Sequence, residues 1–269
     1  MKFSILIAHY NNWNYFQECY QSIVNQSYRN FEIVIVDDCS TDGSFEKLQE
    51  LAKKDSRIKL FRNSENKKVG YTKRRCVEES LGDISGFVDP DDKLSHNALN
   101  EVINVYKNNK NAVVTYSKIK LINSESKEIG EFKHSKKIIN NKKYFFNINF
   151  EVAHFFTFKN DVYKQISGID ESLSSAVDQD LYLKLYEKGD FFFINEYQYY
   201  YRNHEKGVSQ DKTKKKELHD NWHKVIFNTC ERRDINKIFG ENVKDIESLP
   251  KFIFGKENTL FKRIVRKIL

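Results

Sequence analysis

The sequence has few of the residues that break or cross-link a chain. Its 269 residues include 2 prolines and 10 glycines, too few for a collagen-like or linker-rich protein. No apolar run approaches the length of a transmembrane helix. The opening run Lys2–Ile7 is also too short for the apolar core of a signal peptide. We therefore expect a globular protein located in the cytoplasm.

Cysteine is also scarce. The sequence has 4 cysteines, with neither a Cys-x-x-Cys pair nor the spacing of a metal site, at Cys19, Cys39, Cys76 and Cys230. We expect them to be reduced and buried as small apolar side chains. Aromatic residues make up 14% of the chain, which is more than a disordered protein carries and enough to build a core.

The formal net charge is +7, and most of it lies at the end of the chain. Residues 251–269 hold six basic side chains against Glu257 alone. The remainder of the protein is close to neutral. A broad basic face for nucleic acid is therefore not indicated, and we expect no nucleic-acid partner.

Strands and helices are predicted to alternate through the first 117 residues. The predicted strands are Phe3–Ala8, Phe31–Val36, Arg57–Phe61, Ile84–Val88 and Ala112–Tyr116. The predicted helices are Trp13–Gln26, Ser44–Lys53, Thr72–Leu81 and Ser95–Tyr106. This order is typical of an α/β fold with a mostly parallel, doubly wound sheet flanked by helices.

The second half is predicted with less regular structure. Helices are expected at Asn160–Ile166, Asp178–Glu187 and Lys214–Thr229, and late strands at Phe191–Ile194 and Tyr197–Tyr201. We divide the chain into a catalytic domain over 1–210, a helical extension over 211–250 and a tail helix over 251–269. Within the catalytic domain, 1–117 is the nucleotide-binding half and 118–210 the acceptor half.

Three carboxylates in four residues, Asp89-Pro90-Asp91-Asp92, follow a predicted buried strand. They repel one another unless a cation neutralises them, and their hard oxygen atoms suit Mg²⁺ or Mn²⁺. Asp and Pro are also typical of a solvated turn, and the four residues alone leave both interpretations open. Their place at the carboxyl end of a strand favours a ligand site.

A second acidic pair, Asp37 and Asp38, ends the second predicted strand. A carboxylate at this edge can accept a hydrogen bond from a nucleobase or a ribose hydroxyl. The neighbouring Thr41 and Asp42 have a simpler interpretation as caps of the next helix. That interpretation does not account for Asp37 and Asp38.

Taken in order, five segments resemble glycosyltransferase family 2 over roughly residues 1–210. They are Ile5-Leu-Ile-Ala-His-Tyr-Asn11, Val36-Asp-Asp-Cys-Ser-Thr-Asp-Gly-Ser44, Gly70 with Arg75, Phe87-Val-Asp-Pro-Asp-Asp92 and Val177-Asp-Gln-Asp-Leu-Tyr-Leu-Lys-Leu185. The resemblance implies a GT-A (Rossmann-like) fold, a nucleotide-sugar donor, a divalent metal and inversion at the anomeric carbon. Val177 departs from the family, which usually has Glu there.

The resemblance also implies roles for single residues at the nucleotide. Tyr10 and Asp38 would contact the base, and the backbone of Ala8 would lie beside it. Asp89 would lie near the ribose. Arg75, on the helix after Gly70, would lie near the nucleotide or diphosphate.

For the metal, the resemblance implies Asp91 with Asp92, and His204 as a further ligand, around Mn²⁺ or Mg²⁺. It implies that Asp178 is the catalytic base, with Asp180 the weaker candidate. Inverting transfer needs a carboxylate that takes the proton of the attacking hydroxyl. A place at a helix N-terminus would help to keep Asp178 ionised, although an N-cap role would explain it as well.

Apolar and basic residues alternate in the tail, 260–269, with the spacing of a basic amphipathic helix. Its apolar set is Leu260, Phe261, Ile264, Val265, Ile268 and Leu269, and its basic set is Lys262, Arg263, Arg266 and Lys267. The pattern predicts contact with an anionic membrane, which would place the protein peripherally on the inner face of the cytoplasmic membrane. Packing of this helix on protein is the alternative.

These features predict a metal-dependent inverting glycosyltransferase that uses a nucleotide-sugar, with UDP the expected nucleotide. The acceptor would be a glycan or a lipid-linked glycan in surface-polysaccharide assembly. Two alternatives stay open: a degenerate protein that binds the nucleotide-sugar without turnover, and a nucleotidyltransferase. The turn at Tyr10-Asn11-Asn12 lacks the Gly-rich basic loop expected of the latter.

Overall fold

The structure is a computed structural model that describes residues 1–204 and 215–259. Strands and helices alternate in its first half, as predicted. They are β1 (Phe3–His9), α1 (Trp13–Val24), β2 (Phe31–Asp37), α2 (Ser44–Lys54), β3 (Ile58–Arg62), α3 (Lys68–Glu78), β4 (Ile84–Phe87), β5 (Lys93–Leu94) and α4 (Ala98–Asn108). Every residue of β2 is buried, as expected of a strand covered on both faces.

The second half contains strands that the sequence did not reveal. Its elements are β6 (Ala112–Ile122), β7 (Glu128–Glu131), β8 (Thr157–Lys159), α5 (Asn160–Tyr163), α6 (Val177–Tyr186), β9 (Asp190–Arg202), α7 (Lys215–Arg232), β10 (Lys237–Ile238), β11 (Glu241–Asn242) and α8 (Leu249–Glu257). The two late strands predicted from sequence form one continuous strand, β9. The missed strands have two to four residues, too few to show a periodic pattern.

Nine strands form the central sheet, in the order β3-β2-β1-β4-β8-β6-β9-β5, with β7 paired to β6. The strands from β3 to β4 are parallel, which confirms the predicted α/β arrangement there. Beyond β4 the sheet is mixed, because β8 runs antiparallel between β4 and β6. The strand predicted at Ala112–Tyr116 is therefore separated from β4 rather than adjacent to it.

Apolar side chains form one cluster on each face of the sheet and a third, smaller cluster apart from them. The third cluster joins the C-terminal helices to the segment before β8, since Phe146 and Ile148 pack there with Ile226 of α7 and Leu249 of α8. The helix prediction for α7 is confirmed, and Leu218 near its start is 44% exposed. Of the four cysteines, three are buried and Cys39 is partly exposed.

The structure describes the predicted tail helix, 251–269, only up to residue 259. The helix there, α8, begins at Leu249 with Ser248 as its cap and ends at Glu257. The basic amphipathic pattern of 260–269 lies outside the described residues. Within the described part, no helix is long and apolar enough to cross a membrane.

Glu32 is a buried carboxylate that joins three strands of the parallel sheet. Its side chain accepts hydrogen bonds from Ser4 at 2.7 Å and from the backbone N–H of Leu81 at 2.6 Å, and it pairs with Lys2 and Lys59. Burial would raise the pKa of this carboxyl, but hydrogen bonds from Lys2 and Leu81 outweigh burial and lower the pKa to about 2.

Glu32→Gln should lower the free energy of unfolding at pH 7 by about 2–3 kcal/mol, because it leaves two lysines beside a neutral group. The folded-state pKa lies below the ordinary value of 4.5, so the contribution of Glu32 is complete above that pH and disappears as the pH falls toward 2. Urea unfolding should show a smaller gap between variant and wild type at pH 3 than at pH 7, because Glu32 is only partly protonated in the folded protein at pH 3.

The matched control is Glu50→Gln, which removes an exposed glutamate paired with Lys53. It should leave stability unchanged at both pH values. An equal loss of stability in both variants would contradict the role assigned to Glu32.

Candidate functional site

The site lies where three parallel strands end side by side. β2, β1 and β4 are neighbours in the sheet, and His9 at the end of β1 is paired in register with Asp37 at the end of β2. Asp89 follows two residues after the end of β4. The carboxyl ends of parallel strands share one edge, so the predicted residues after these strands are brought together.

His9 and Asp37 form a buried pair beneath this edge. Both side chains are fully buried, and His9 Nδ1 lies 3.3 Å from Asp37 Oδ1. Ser40 donates to the same carboxylate from its hydroxyl at 2.5 Å and from its backbone N–H at 2.9 Å. Burial would raise the pKa of Asp37, but hydrogen bonds from His9 and Ser40 lower it. Asp37 therefore orders the turn, while Tyr10 above it is 45% exposed and available to a ligand.

Asp38 organises the loop between β3 and α3. Its carboxylate accepts from Asn63 Nδ2 at 2.7 Å and from the backbone N–H groups of Lys67 at 2.8 Å and Lys68 at 3.0 Å. Arg75 donates to Asn63 Oδ1 at 2.8 Å. The Asn63 side chain therefore bridges the Arg75 guanidinium and the Asp38 carboxylate. Two of the predicted nucleotide residues, Asp38 and Arg75, thus meet at the β2 side of the edge, while Asp89 lies after β4.

The acidic turn after β4 is held by β9. β5 pairs antiparallel with β9, with Lys93 opposite Tyr200, and continuing this register sets Asp91 opposite Arg202. Arg202 Nε donates to the backbone carbonyl of Asp91 at 2.7 Å, and its backbone N–H donates to Asp92 Oδ1 at 2.7 Å. The Arg202 side chain is fully buried and pairs with Glu18 at 3.2 Å, so it fixes the position of the turn through the Asp91 carbonyl.

The predicted metal ligands do not have equal surroundings. Asp91 Oδ2 and His204 Nε2 lie 2.8 Å apart at the turn. Asp92 is 1% exposed, and one of its oxygens is already bound to Arg202. The structure therefore brings Asp91 and His204 together and directs Asp92 toward β9.

The charges of the turn fit a divalent cation. Burial and then the charge of Asp89 raise the pKa of Asp91, and burial raises the pKa of Asp92 well above its ordinary value. A carboxylate with an imidazole is a donor set that suits Mn²⁺. Over 1–204 and 215–259, no group of three or more His, Cys, Asp or Glu side chains is assembled as a metal site. A metal held by Asp91 and His204 would complete its shell with ligand oxygens and water.

Asp178, the predicted base, lies in the first turn of α6 and meets a lysine that sequence analysis missed. Lys73 Nζ of α3 lies 2.9 Å from Asp178 Oδ1 and 3.4 Å from Asp89 Oδ1. His154 Nε2 lies 3.8 Å from Asp178 Oδ2 and 3.9 Å from Asp89 Oδ2. The base and the predicted ribose carboxylate therefore share two basic neighbours.

The approach of α3 to the segment before α6 depends on Gly70. Its backbone N–H donates to Leu173 O at 3.1 Å, and a Cβ at this position would lie only 2.4 Å from the same oxygen. The absence of a side chain lets α3 carry Lys73 up to Asp178. A lysine inside an amphipathic helix carries no sequence signal for this role.

His154 reaches the site because β8 is antiparallel to β4. Thr157 is opposite Gly86, and continuing this register toward the start of β8 sets His154 opposite Asp89. His154 lies in a stretch of the sequence rich in aromatic residues, 145–158. Four phenylalanines of this stretch are core residues at most 2% exposed, namely Phe146, Phe155, Phe156 and Phe158.

Asp180 has a structural role. It is 2% exposed, pairs with Lys184 at 2.7 Å and accepts from the backbone N–H of Asp170 at 3.1 Å. The preference for Asp178 over Asp180 at the reacting edge is consistent with this geometry.

Comparisons with known proteins match most of the chain to one family. The family model described as Glycosyl transferase family 2 matches residues 4–167. The chain is 29% identical over 259 residues to a chondroitin synthase from Escherichia coli, covering 96% of this chain and 37% of that protein. It therefore spans about a third of the length of that relative.

Solved structures support the fold. S. aureus TarS 1–349 in complex with UDP-GlcNAc superposes with a TM-score of 0.70 at 19% identity, covering 98% of this chain and 78% of that one. A mannosyltransferase from Pyrobaculum calidifontis in complex with GDP-Man and Mn²⁺ gives 0.60 at 12% identity, covering 93% and 66%. The likeness confirms the predicted GT-A fold.

A pair of matched variants tests the unequal surroundings of Asp91 and Asp92. Asp91→Asn should weaken the Mn²⁺-dependent affinity for UDP by at least about tenfold, since it removes a charged oxygen that faces His204. Asp92→Asn should leave that affinity unchanged, because its side chain is buried against Arg202. Isothermal titration of each variant with UDP and Mn²⁺ measures both, and equal losses would place Asp92 among the ligands.

Proposed function

Because this chain belongs to glycosyl transferase family 2, we propose that it is an inverting glycosyltransferase that moves a sugar from a nucleotide-sugar to a glycan acceptor. The observation that carries the proposal is the shared edge, where Lys73 and His154 join Asp178 to Asp89 and where Asp91 meets His204 two residues further on. In such an arrangement, Asp178 would serve as the base, and Asp91 with His204 would hold the metal.

The mechanism we infer is a single in-line displacement. The acceptor hydroxyl oxygen bonds to the anomeric carbon, and its proton passes to the carboxylate of Asp178. The bond from that carbon to the diphosphate oxygen breaks, and the oxygen keeps the electron pair. Tyr10, Asp38 and Asp89 would hold the nucleoside. A divalent metal bound by Asp91 and His204 would stabilise the charge on the leaving diphosphate.

UDP is the nucleotide we propose, and surface-polysaccharide assembly the setting. A UDP-GlcNAc complex of a protein with the same fold and a likeness to a chondroitin synthase support this choice. The acceptor would be a glycan or a lipid-linked glycan. The chain covers only part of that synthase. The choice of UDP and of a glycan acceptor therefore rests on the site and the family together.

Asp178→Asn should lower the rate of sugar transfer by about 10²- to 10⁴-fold, because the variant cannot take the proton. Metal-dependent nucleotide binding should stay close to wild type, since Asp178 is not one of the proposed metal ligands. Asp91→Ala should weaken binding and transfer alike. Transfer from UDP-sugars and calorimetric UDP titration measure the two effects.

The matched control is Asp180→Asn, on the same helix. It breaks a buried pair with Lys184 and should lower stability while leaving the rate per folded molecule unchanged. Wild-type transfer by Asp178→Asn would contradict the assignment of the base.

Thermal shifts with UDP, GDP, dTDP and CMP, each with and without Mn²⁺, test the donor class. A ligand that binds only the folded protein raises the melting temperature by mass action. A Mn²⁺-dependent rise with UDP supports the proposal. Binding of a nucleotide-sugar without hydrolysis or transfer would favour the degenerate-transferase alternative, and turnover of a nucleoside triphosphate would favour a nucleotidyltransferase.

We also propose that the basic tail contacts an anionic membrane. Replacing its four basic residues by Gln should weaken binding to phosphatidylcholine–phosphatidylglycerol vesicles by at least about 100-fold, at about 1 kcal/mol for each charge. Vesicle sedimentation measures the effect. A control with the same charge loss changes four exposed lysines elsewhere and should bind as wild type. The tail set is Lys262, Arg263, Arg266 and Lys267, and the control set is Lys133, Lys136, Lys137 and Lys142.

A further inference from the structure

Lys73 is a charged side chain buried at the centre of the site. Its side chain is 5% exposed, and its ammonium lies between the carboxylates of Asp178 and Asp89. The ring of Phe87 covers it at 5.1 Å. A buried lysine that meets two carboxylates from different elements fixes the distance between them.

We propose that Lys73 is a positioning residue that holds the base Asp178 ionised through its Oδ1 atom and leaves Oδ2 to receive the proton of the acceptor. This inference rests on the proposed function, because it deepens the role given there to Asp178. It adds a residue from α3 to the catalytic arrangement and names the reacting oxygen.

The reacting oxygen is assigned from the different surroundings of the two oxygens of the Asp178 carboxylate. Oδ1 accepts a hydrogen bond from Lys73 at 2.9 Å, so one of its lone pairs is engaged. Oδ2 faces His154 at 3.8 Å, beyond hydrogen-bond distance. The Asp178 side chain is 33% exposed, which leaves Oδ2 open to an entering hydroxyl.

The side chains around Asp178 explain why it is ionised. Titratable groups approach it from α3 (Lys73), from the loop after β4 (Asp89), from the segment before β8 (His154) and from α6 itself (Tyr182). Burial would raise the pKa of Asp178, but Lys73 and then His154 lower it below its ordinary value. Burial would likewise lower the pKa of Lys73, but Asp178 and Asp89 raise it, so the ammonium stays charged.

The same ammonium connects the base to the donor side of the site. Asp89, predicted near the ribose, is fixed by its backbone N–H, which donates to the Tyr199 hydroxyl at 3.1 Å. His154 stacks on the Tyr199 ring with centroids 4.9 Å apart. If a bound donor moves Asp89, Lys73 would transmit this movement to Asp178, because its ammonium contacts both carboxylates.

Lys73→Met tests the proposal, since it removes the charge and keeps an unbranched side chain. The pH at which Asp178 titrates should rise by about 1–3 units once the ammonium is gone. Carbon-13 NMR of aspartate-labelled protein measures this titration directly, with the signal assigned by its loss in Asp178→Asn. The acid limb of kcat/KM for transfer from the UDP-sugar should move upward by the same amount. Lys73→Arg, which keeps the charge, should show a smaller shift.

Lys184→Met is the matched control. Lys184 is also buried and paired with an aspartate of α6, at 2.7 Å from Asp180, but away from the reacting edge. It should lose stability as Lys73→Met does and leave the titration of Asp178 unchanged. Equal movement of that titration in both variants would show a general effect of stability and overturn the proposal.

Two further outcomes separate this proposal from the proposed function. If Lys73→Met does not fold, the wild-type spectrum decides, because Asp178 must titrate below the ordinary value of 3.8. Titration above that value overturns the role of Lys73. If no donor is turned over, the proposed function fails, whereas the NMR titration still reports whether Lys73 holds Asp178 ionised.

Discussion

Carboxylates gathered at one edge of a sheet repel one another, and the arrangement of this protein depends on how that repulsion is compensated. Asp89, Asp91 and Asp178 converge where the strands end. Two buried cations lie among them, Lys73 between Asp89 and Asp178 and Arg202 beneath Asp91. Without Lys73, burial would favour a neutral Asp178, which could not accept a proton.

Both cations link distant parts of the chain. Lys73 belongs to α3 and meets Asp178 on α6, 105 residues later, while Arg202 ends β9 and holds a turn that lies 111 residues earlier. The second half of the chain is therefore required to complete an edge that the first half begins. The antiparallel β8 contributes in the same way, because its direction brings His154 to the carboxyl end of β4.

Several features followed from the sequence alone. Alternating apolar segments placed β1, β2 and β4 and the helices between them, because buried parallel strands and amphipathic helices have distinct periods. Strand-end positions then identified Tyr10, Asp38 and Asp89 as candidates, and the order of five motifs identified the family. These signals are local in the chain, so residue type and spacing suffice to read them.

The tertiary structure decided what each candidate can do. It distinguished Asp91, which meets His204, from Asp92, which is buried against Arg202, although the two are adjacent and chemically identical. It also revealed Lys73 and His154, whose surroundings come from elements far apart in the chain. The charge state of a carboxylate depends on burial and on neighbours within a few ångströms, and only the folded chain fixes those distances.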